Sequence, residues 1–173
     1  MGESSPGRER SSARSRCSRT ARPGGTVEAE NYDDGGEGLG HHDATPANEG
    51  GYYRDAGVDV QPTTDTGGGY DVGWTKAGEW LAYTVNVTTA DRYTLAVRVA
   101  SNGAGGTFHV ESEGIDKTGP VIIPNTGGWQ TWRTVTVPVT LAAGPQLLRL
   151  AFDAAGSSGF CGNVNWLKLA PIT

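Results

Sequence analysis

Glu79-Trp80-Leu81-Ala82-Tyr83-Thr84-Val85-Asn86-Val87 is followed, after four intervening residues, by Arg92-Tyr93-Thr94-Leu95-Ala96-Val97-Arg98-Val99-Ala100-Ser101. In the first stretch Leu81, Tyr83, Val85 and Val87 alternate with other residues; in the second, Tyr93, Leu95, Val97 and Val99 do the same. A repeat of two puts one set of side chains on one face of an extended chain, so each stretch reads as a strand with a single buried face. The pattern continues outward from this pair. Phe108 and Val110 alternate, Val121-Ile122-Ile123 runs into Pro124, and Val135, Val137 and Val139 alternate again. Leu148, Leu150 and Phe152 follow, then Val164, Trp166, Leu167 and Leu169. With residues 26–30, in which Glu28 and Glu30 share a face, and residues 58–60 and 70–74, the chain holds about ten short strands separated by Gly, Pro, Asn and Asp. No stretch carries the periodicity of an amphipathic helix. The fold class is all-β, an antiparallel β-sandwich of the jelly-roll kind.

Composition agrees. Gly occurs 27 times in 173 residues, about twice the usual share, and without a three-residue period, which excludes collagen. No run approaches the roughly 18 consecutive apolar residues of a membrane span. Six arginines (Arg8, Arg10, Arg14, Arg16, Arg19 and Arg22) fall in residues 1–25 against Glu3 and Glu9, so the acidic excess behind the net charge of −5 lies in residues 26–173. We read residues 1–25 as a disordered arm or a start codon assigned too early, and 26–173 as the folded domain. An acidic body does not attract phosphate, so no nucleic-acid partner is expected. The arm has neither aromatic rings nor an apolar face, so no membrane partner is expected either. The chain shows no secretory signal peptide. Cys17 and Cys161 leave a disulfide open without requiring one.

Few groups suggest catalysis. Glu79, paired with Asp71 or Glu111, is the one combination that resembles a glycosidase pair; solvated carboxylates or metal ligands are the alternative. Gly156-Ser157-Ser158-Gly159 lacks the spacing of a nucleophile elbow. His41-His42-Asp43 reads as a polar turn, His109 as a strand residue facing solvent, and Gly103-Ala104-Gly105-Gly106 as a hairpin turn. Trp80, Trp132 and Trp166 lie in strand patterns and default to the core. Trp74 follows Gly67-Gly68-Gly69-Tyr70-Asp71-Val72-Gly73, and Trp129 follows Pro124-Asn125-Thr126-Gly127-Gly128. Such small neighbours leave an indole little cover. Either ring suits stacking against the apolar face of a pyranose, and core packing stays open for both.

Seven segments then come in order: Glu28-Ala29-Glu30, Thr64-Asp65-Thr66-Gly67-Gly68-Gly69, Val72-Gly73-Trp74, Ala77-Gly78-Glu79-Trp80, Arg98-Val99-Ala100-Ser101, Pro124-Asn125-Thr126-Gly127-Gly128-Trp129-Gln130-Thr131-Trp132 and Asn163-Val164-Asn165-Trp166. Together they resemble a family 6 carbohydrate-binding module, a jelly-roll appendage of polysaccharide-degrading enzymes. The resemblance implies a sugar site in the loops at one end of the sandwich, with Trp74 and Trp129 clasping a ring and Asn163 bonding its hydroxyls. Gln61 stands nearest to where some relatives carry a ligand-touching Glu. The resemblance allows a second cleft floored by Trp80, although Ala151 stands where a Lys would help it. It also implies a structural Ca2+ held by Glu28, Glu30, the carbonyl of Tyr70 and Asn165, tying the first strand to the last.

The function expected from this is non-catalytic binding of a β-linked polysaccharide, β-1,3-glucan or xylan among them. The module would act as a secreted monomer that brings an attached glycoside hydrolase to its substrate. A small jelly-roll glycosidase or lyase using Glu79, and a cell-surface adhesion domain, are the competing expectations.

Overall fold

The computed structural model describes residues 24–172, so the Arg-rich arm and Cys17 lie outside the described residues. Twelve strands follow one another: β1 (Thr26–Glu28), β2 (His41–His42), β3 (Val60–Pro62), β4 (Tyr70–Val72), β5 (Trp80–Val87), β6 (Asp91–Ser101), β7 (Thr107–Ser112), β8 (Ile115–Asp116), β9 (Val121–Ile122), β10 (Gly128–Leu141), β11 (Gly144–Ala154) and β12 (Asn163–Pro171). They form two sheets. The first runs β10-β6-β12-β4-β3, with β1 also on β12; the second runs β2-β5-β11-β7-β8, with β9 also on β7. Every strand pair is antiparallel. From β9 to β12 the chain changes sheet at each connection, as it does from β5 to β7, which closes a sandwich.

The alternations become the inner faces. Leu81, Tyr83, Val85 and Val87 of β5 meet Tyr93, Leu95, Val97 and Val99 of β6 across the core, with Phe108, Leu150 and Phe152. Each large side chain buried there contributes about 1.5–3 kcal/mol, which outweighs the modest preferences of individual strand residues. Three departures from the sequence reading have physical causes. The chain after β1 tightens into a 3-10 turn at Ala29–Asn31, so Glu28 and Glu30 do not share a strand face. His41-His42 is a short edge strand on β5, not a turn. Gly103-Ala104-Gly105-Gly106 joins strands of different sheets and is a crossover, not a hairpin. Backbone approach explains the glycines there: a Cβ on Gly106 would lie 1.8 Å from the carbonyl oxygen of Ala154.

The tryptophans need a correction too. All five, including Trp80, Trp132 and Trp166, are half-buried, and none belongs to the buried core. Trp166 is turned outward by a break in the ladder: Val164 opposes Val99 and Trp166 opposes Arg98, leaving Asn165 as an extra, unpaired residue. The same device acts in β10, where Gly128 opposes Ser101 and Arg133 opposes Val99, so residues 129–132 leave the ladder. Both breaks fall at one end of the first sheet.

Candidate functional site

At that end Gln61, Trp74, Trp129, Phe160 and Asn163 line one open cleft. Each side chain arrives by a different route. Gln61 sits on β3, opposite Asp71 of β4. Trp74 follows β4 with φ of 50°, a left-handed conformation that costs a bulky residue roughly 1–3 kcal/mol. Its neighbour Thr75 holds it there. The buried Thr75 hydroxyl donates to the carbonyl of Gly162 (2.6 Å) and accepts from the Gly162 N–H (3.1 Å), while the Cys161 N–H donates to the Thr75 carbonyl (2.8 Å). That joint also places Phe160, whose ring meets Trp129 edge-on at 6.1 Å and 86°. Trp129 rides on the looped-out segment of β10, and the Asn163 amide donates to its carbonyl (2.8 Å).

The cleft lining carries no charge. Just behind it Asp71 is fully buried and takes two hydrogen bonds, from Gln61 Nε2 (3.1 Å) and Gln130 Nε2 (2.8 Å). Burial pushes its carboxyl up to about 6, against the pull of those two amides. A Cβ on Gly73 would come within 3.2 Å of both Gln61 and Asn163, so a glycine there keeps the two amides close.

Glu28, Glu30, Tyr70 and Asn165 lie together at the β1–β12–β4 junction. Burial first, then the charges of Glu28 and Asp71, pushes the Glu30 carboxyl up to about 7, against the pull of nearby backbone N–H groups including that of Tyr70. Oε2 of Glu30 and Oδ1 of Asn165 are both buried without a protein partner. Asn165 cannot reverse its amide to relieve this, because its Nδ2 donates to Asp65 (2.9 Å), itself gripped by Arg98 through two bonds of 2.8 Å. Among the described residues no three of His, Cys, Asp and Glu gather as a metal cluster. The oxygen set here is two carboxylates, an amide and a carbonyl, which suits a hard cation such as Ca2+.

The other residues singled out in the sequence are apart from the cleft. Trp80 stands on the outer face of the second sheet, with the Arg149 guanidinium 4.1 Å above its ring and His42 beside it. His109 is on the same face between Asp153 (2.7 Å) and Glu111 (3.3 Å). Glu79 is buried and braces a loop, accepting from the N–H groups of Ala44 (3.1 Å) and Lys76 (2.8 Å). Asp71 belongs to the other sheet, and Glu111 bonds His109 and lies 3.5 Å from Arg149, so each candidate acid has its own partners. Cys161 is buried in the core, which drives its thiol up to about 12. Phe160 is the cleft residue that the sequence reading does not single out. It too is a large ring on a Gly/Ser-rich turn, the same signal that marks Trp74 and Trp129.

This arrangement has known counterparts. The sequence profile described as carbohydrate binding module (family 6) matches residues 49–171. The chain belongs to that family. This family 6 module is 32% identical over 123 residues to the clotting factor G alpha subunit of Tachypleus tridentatus, covering 70% of this chain and 18% of that protein. It is 32% identical over 119 residues to an arabinoxylan arabinofuranohydrolase of Paenibacillus polymyxa, covering 64% of this chain and 18% of that enzyme. The module thus spans less than a fifth of either relative. Among solved structures it resembles the family 6 module of Cellvibrio mixtus lichenase 5A in complex with cellotriose, with 32% identity and a TM-score of 0.64 over 86% of this chain and 97% of that one. It also resembles a β-1,3-glucan binding family 6 module from Bacillus halodurans, with 29% identity and a TM-score of 0.66 over 87% and 98%. The family 6 module is a carbohydrate-binding domain with the antiparallel β-sandwich read from its strand pattern.

Proposed function

We propose that this module binds a neutral β-linked polysaccharide, without cleaving it, in the cleft between Trp74 and Trp129. The observation that carries this reading is the meeting of two indoles, the Phe160 ring and two uncharged amides in one cleft, on four separate segments of chain. The faces of a pyranose are apolar and its rim is all hydroxyl, so flat rings and amides are complementary to it. The relatives support a β-glucan or xylan as ligand: one structural neighbour holds cellotriose and another is described as binding β-1,3-glucan. The arabinoxylan-acting relative supports a role in bringing an attached glycoside hydrolase to its substrate outside the cell, by raising its local concentration there. The module works as a monomer. Two stacked rings and a few hydrogen bonds suit a Kd near 100 μM, about −5.5 kcal/mol.

Glu28, Glu30, the Tyr70 carbonyl and Asn165 would hold a structural Ca2+. When bound, the ion would supply positive charge to the buried carboxylate of Glu30, and its role would be structural, away from sugar binding.

Calorimetric titration of the wild type and Trp129→Ala with laminari- and xylo-oligosaccharides tests the cleft. Losing the ring costs about 2 kcal/mol or more, and that carries binding beyond detection. Unchanged affinity in a folded Trp129→Ala variant would remove the site from the cleft, and reducing sugar released by the wild type would end the non-catalytic reading.

A further inference from the structure

The two amides of the cleft are oriented alike. Gln61 Nε2 donates to Asp71 Oδ2 (3.1 Å), and Asn163 Nδ2 donates to the carbonyl of Trp129 (2.8 Å). Among the described residues neither amide oxygen receives a hydrogen bond from the protein. A backbone carbonyl only accepts, so it fixes Asn163 with its nitrogen inward. A carboxylate likewise only accepts, and Asp71 is fully buried with both oxygens engaged, the second by Gln130 Nε2 (2.8 Å). Gln130 cannot turn either, because its own Oε1 accepts the N–H of Thr64 (2.9 Å). Gln130 and Gln61 therefore both donate into Asp71, and neither amide can turn without facing an acceptor with its own oxygen.

We infer that Asp71 is a positioning residue of the cleft: it holds Gln61 oxygen-outward, so that Gln61 Oε1 and Asn163 Oδ1 form a pair of acceptors for the hydroxyl groups of the ligand. Asp71 touches no ligand itself. The pair selects a sugar edge that offers hydroxyl donors, and it disfavours a carboxylate-bearing sugar, whose oxygens would face two acceptors in a cleft lined by no cation. This assignment rests on the reading of the cleft as the sugar site.

Reversing the polarity of the pair tests it. In Asp71→Asn the side-chain oxygen keeps its bond from Gln130, and the introduced nitrogen faces Gln61, which must turn its own nitrogen to the cleft. In Gln61→Glu a carboxylate faces Asp71. In the double variant the amide introduced at position 71 donates to the carboxylate introduced at position 61, whose other oxygen again faces the cleft. Titrations at pH 8 with laminarihexaose and xylohexaose, with folding followed by circular dichroism, compare the four proteins. We expect each single variant to lose tenfold or more in affinity and the double variant to return within about threefold of wild type. Wild-type affinity in Asp71→Asn, or a double variant no better than the singles, would overturn the assignment while leaving the sugar cleft standing. If Asp71→Asn does not fold, Gln61→Glu decides alone: binding within threefold of wild type overturns it. A folded wild type that binds neither hexaose overturns the cleft reading and this assignment together.

Discussion

At the scale of single residues, the module hides carboxylates that the sequence displays as ordinary surface acids. Asp59 is an example: it is buried, and its side chain accepts the N–H of Glu49 (2.6 Å). Burial dominates and drives its carboxyl up from 3.8 to about 6. A raised carboxyl means that the folded state holds the proton more tightly than the unfolded chain does. Its favourable contribution is full below the unfolded value of 3.8 and is lost as pH rises through about 6. Asp59→Asn keeps the acceptor and removes the charge, so in denaturant melts the variant should be more stable than wild type at pH 8 and no more stable at pH 4. A variant less stable at pH 8 would contradict this. Such burial is not legible in the sequence, because alternation in the strand read at residues 58–60 puts Asp59 on the face opposite Val58 and Val60. Trp74 and Trp129 are legible, since a flat ring among glycines has little else to cover it. Phe160 carries the same signal beside Gly156-Ser157-Ser158-Gly159, a segment weighed in the sequence only for its serines.

At the scale of elements, alternation in β5, β6 and β11 shows which side chains face inward, and the sandwich follows from it. It does not show which strands share a sheet. β6 and β7 are adjacent in sequence with a Gly-rich link, the usual mark of a hairpin, and only the close backbone contacts of Gly105 and Gly106 with Ile123, Ala154 and Cys161 make the link a crossover. Ladder breaks are equally hidden, because a bulge needs a partner strand to be defined. Asn165, Trp129 and Asp153 all sit at such breaks, released from the alternation of their strands. The joint between Thr75 and the 161–162 backbone is the element on which the cleft depends. Thr75→Val preserves shape but strands the buried N–H and carbonyl of Gly162. We expect about 2–3 kcal/mol of lost stability in urea denaturation, together with weaker sugar binding as Trp74 and Phe160 lose their brace. A loss under about 0.5 kcal/mol would show that the joint is not what holds them.

At the scale of the whole molecule, β1 and β12, the first strand and the last, pair beside Glu30 and Asn165. The proposed cation would bind and stabilise the folded state alone. At a free concentration about 100 times its Kd it adds about 2.7 kcal/mol, so chelation should lower Tm by roughly 5–10 °C, and Glu30→Gln should abolish that response. A Tm indifferent to chelator and to Ca2+ would remove the ion from the account. The proposed sugar cleft lies at the end of the first sheet, and Trp80 lies on the outer face of the second, so the five indoles report on different parts of one small protein. Their Nε1–H signals, followed by 15N-resolved NMR during titration of the full chain with laminarihexaose or xylohexaose, show where on the module the sugar binds. We expect saturable shifts at Trp74 and Trp129, with Trp80, Trp132 and Trp166 essentially unmoved. Shifts centred on Trp80, with Trp74 and Trp129 still, would contradict it.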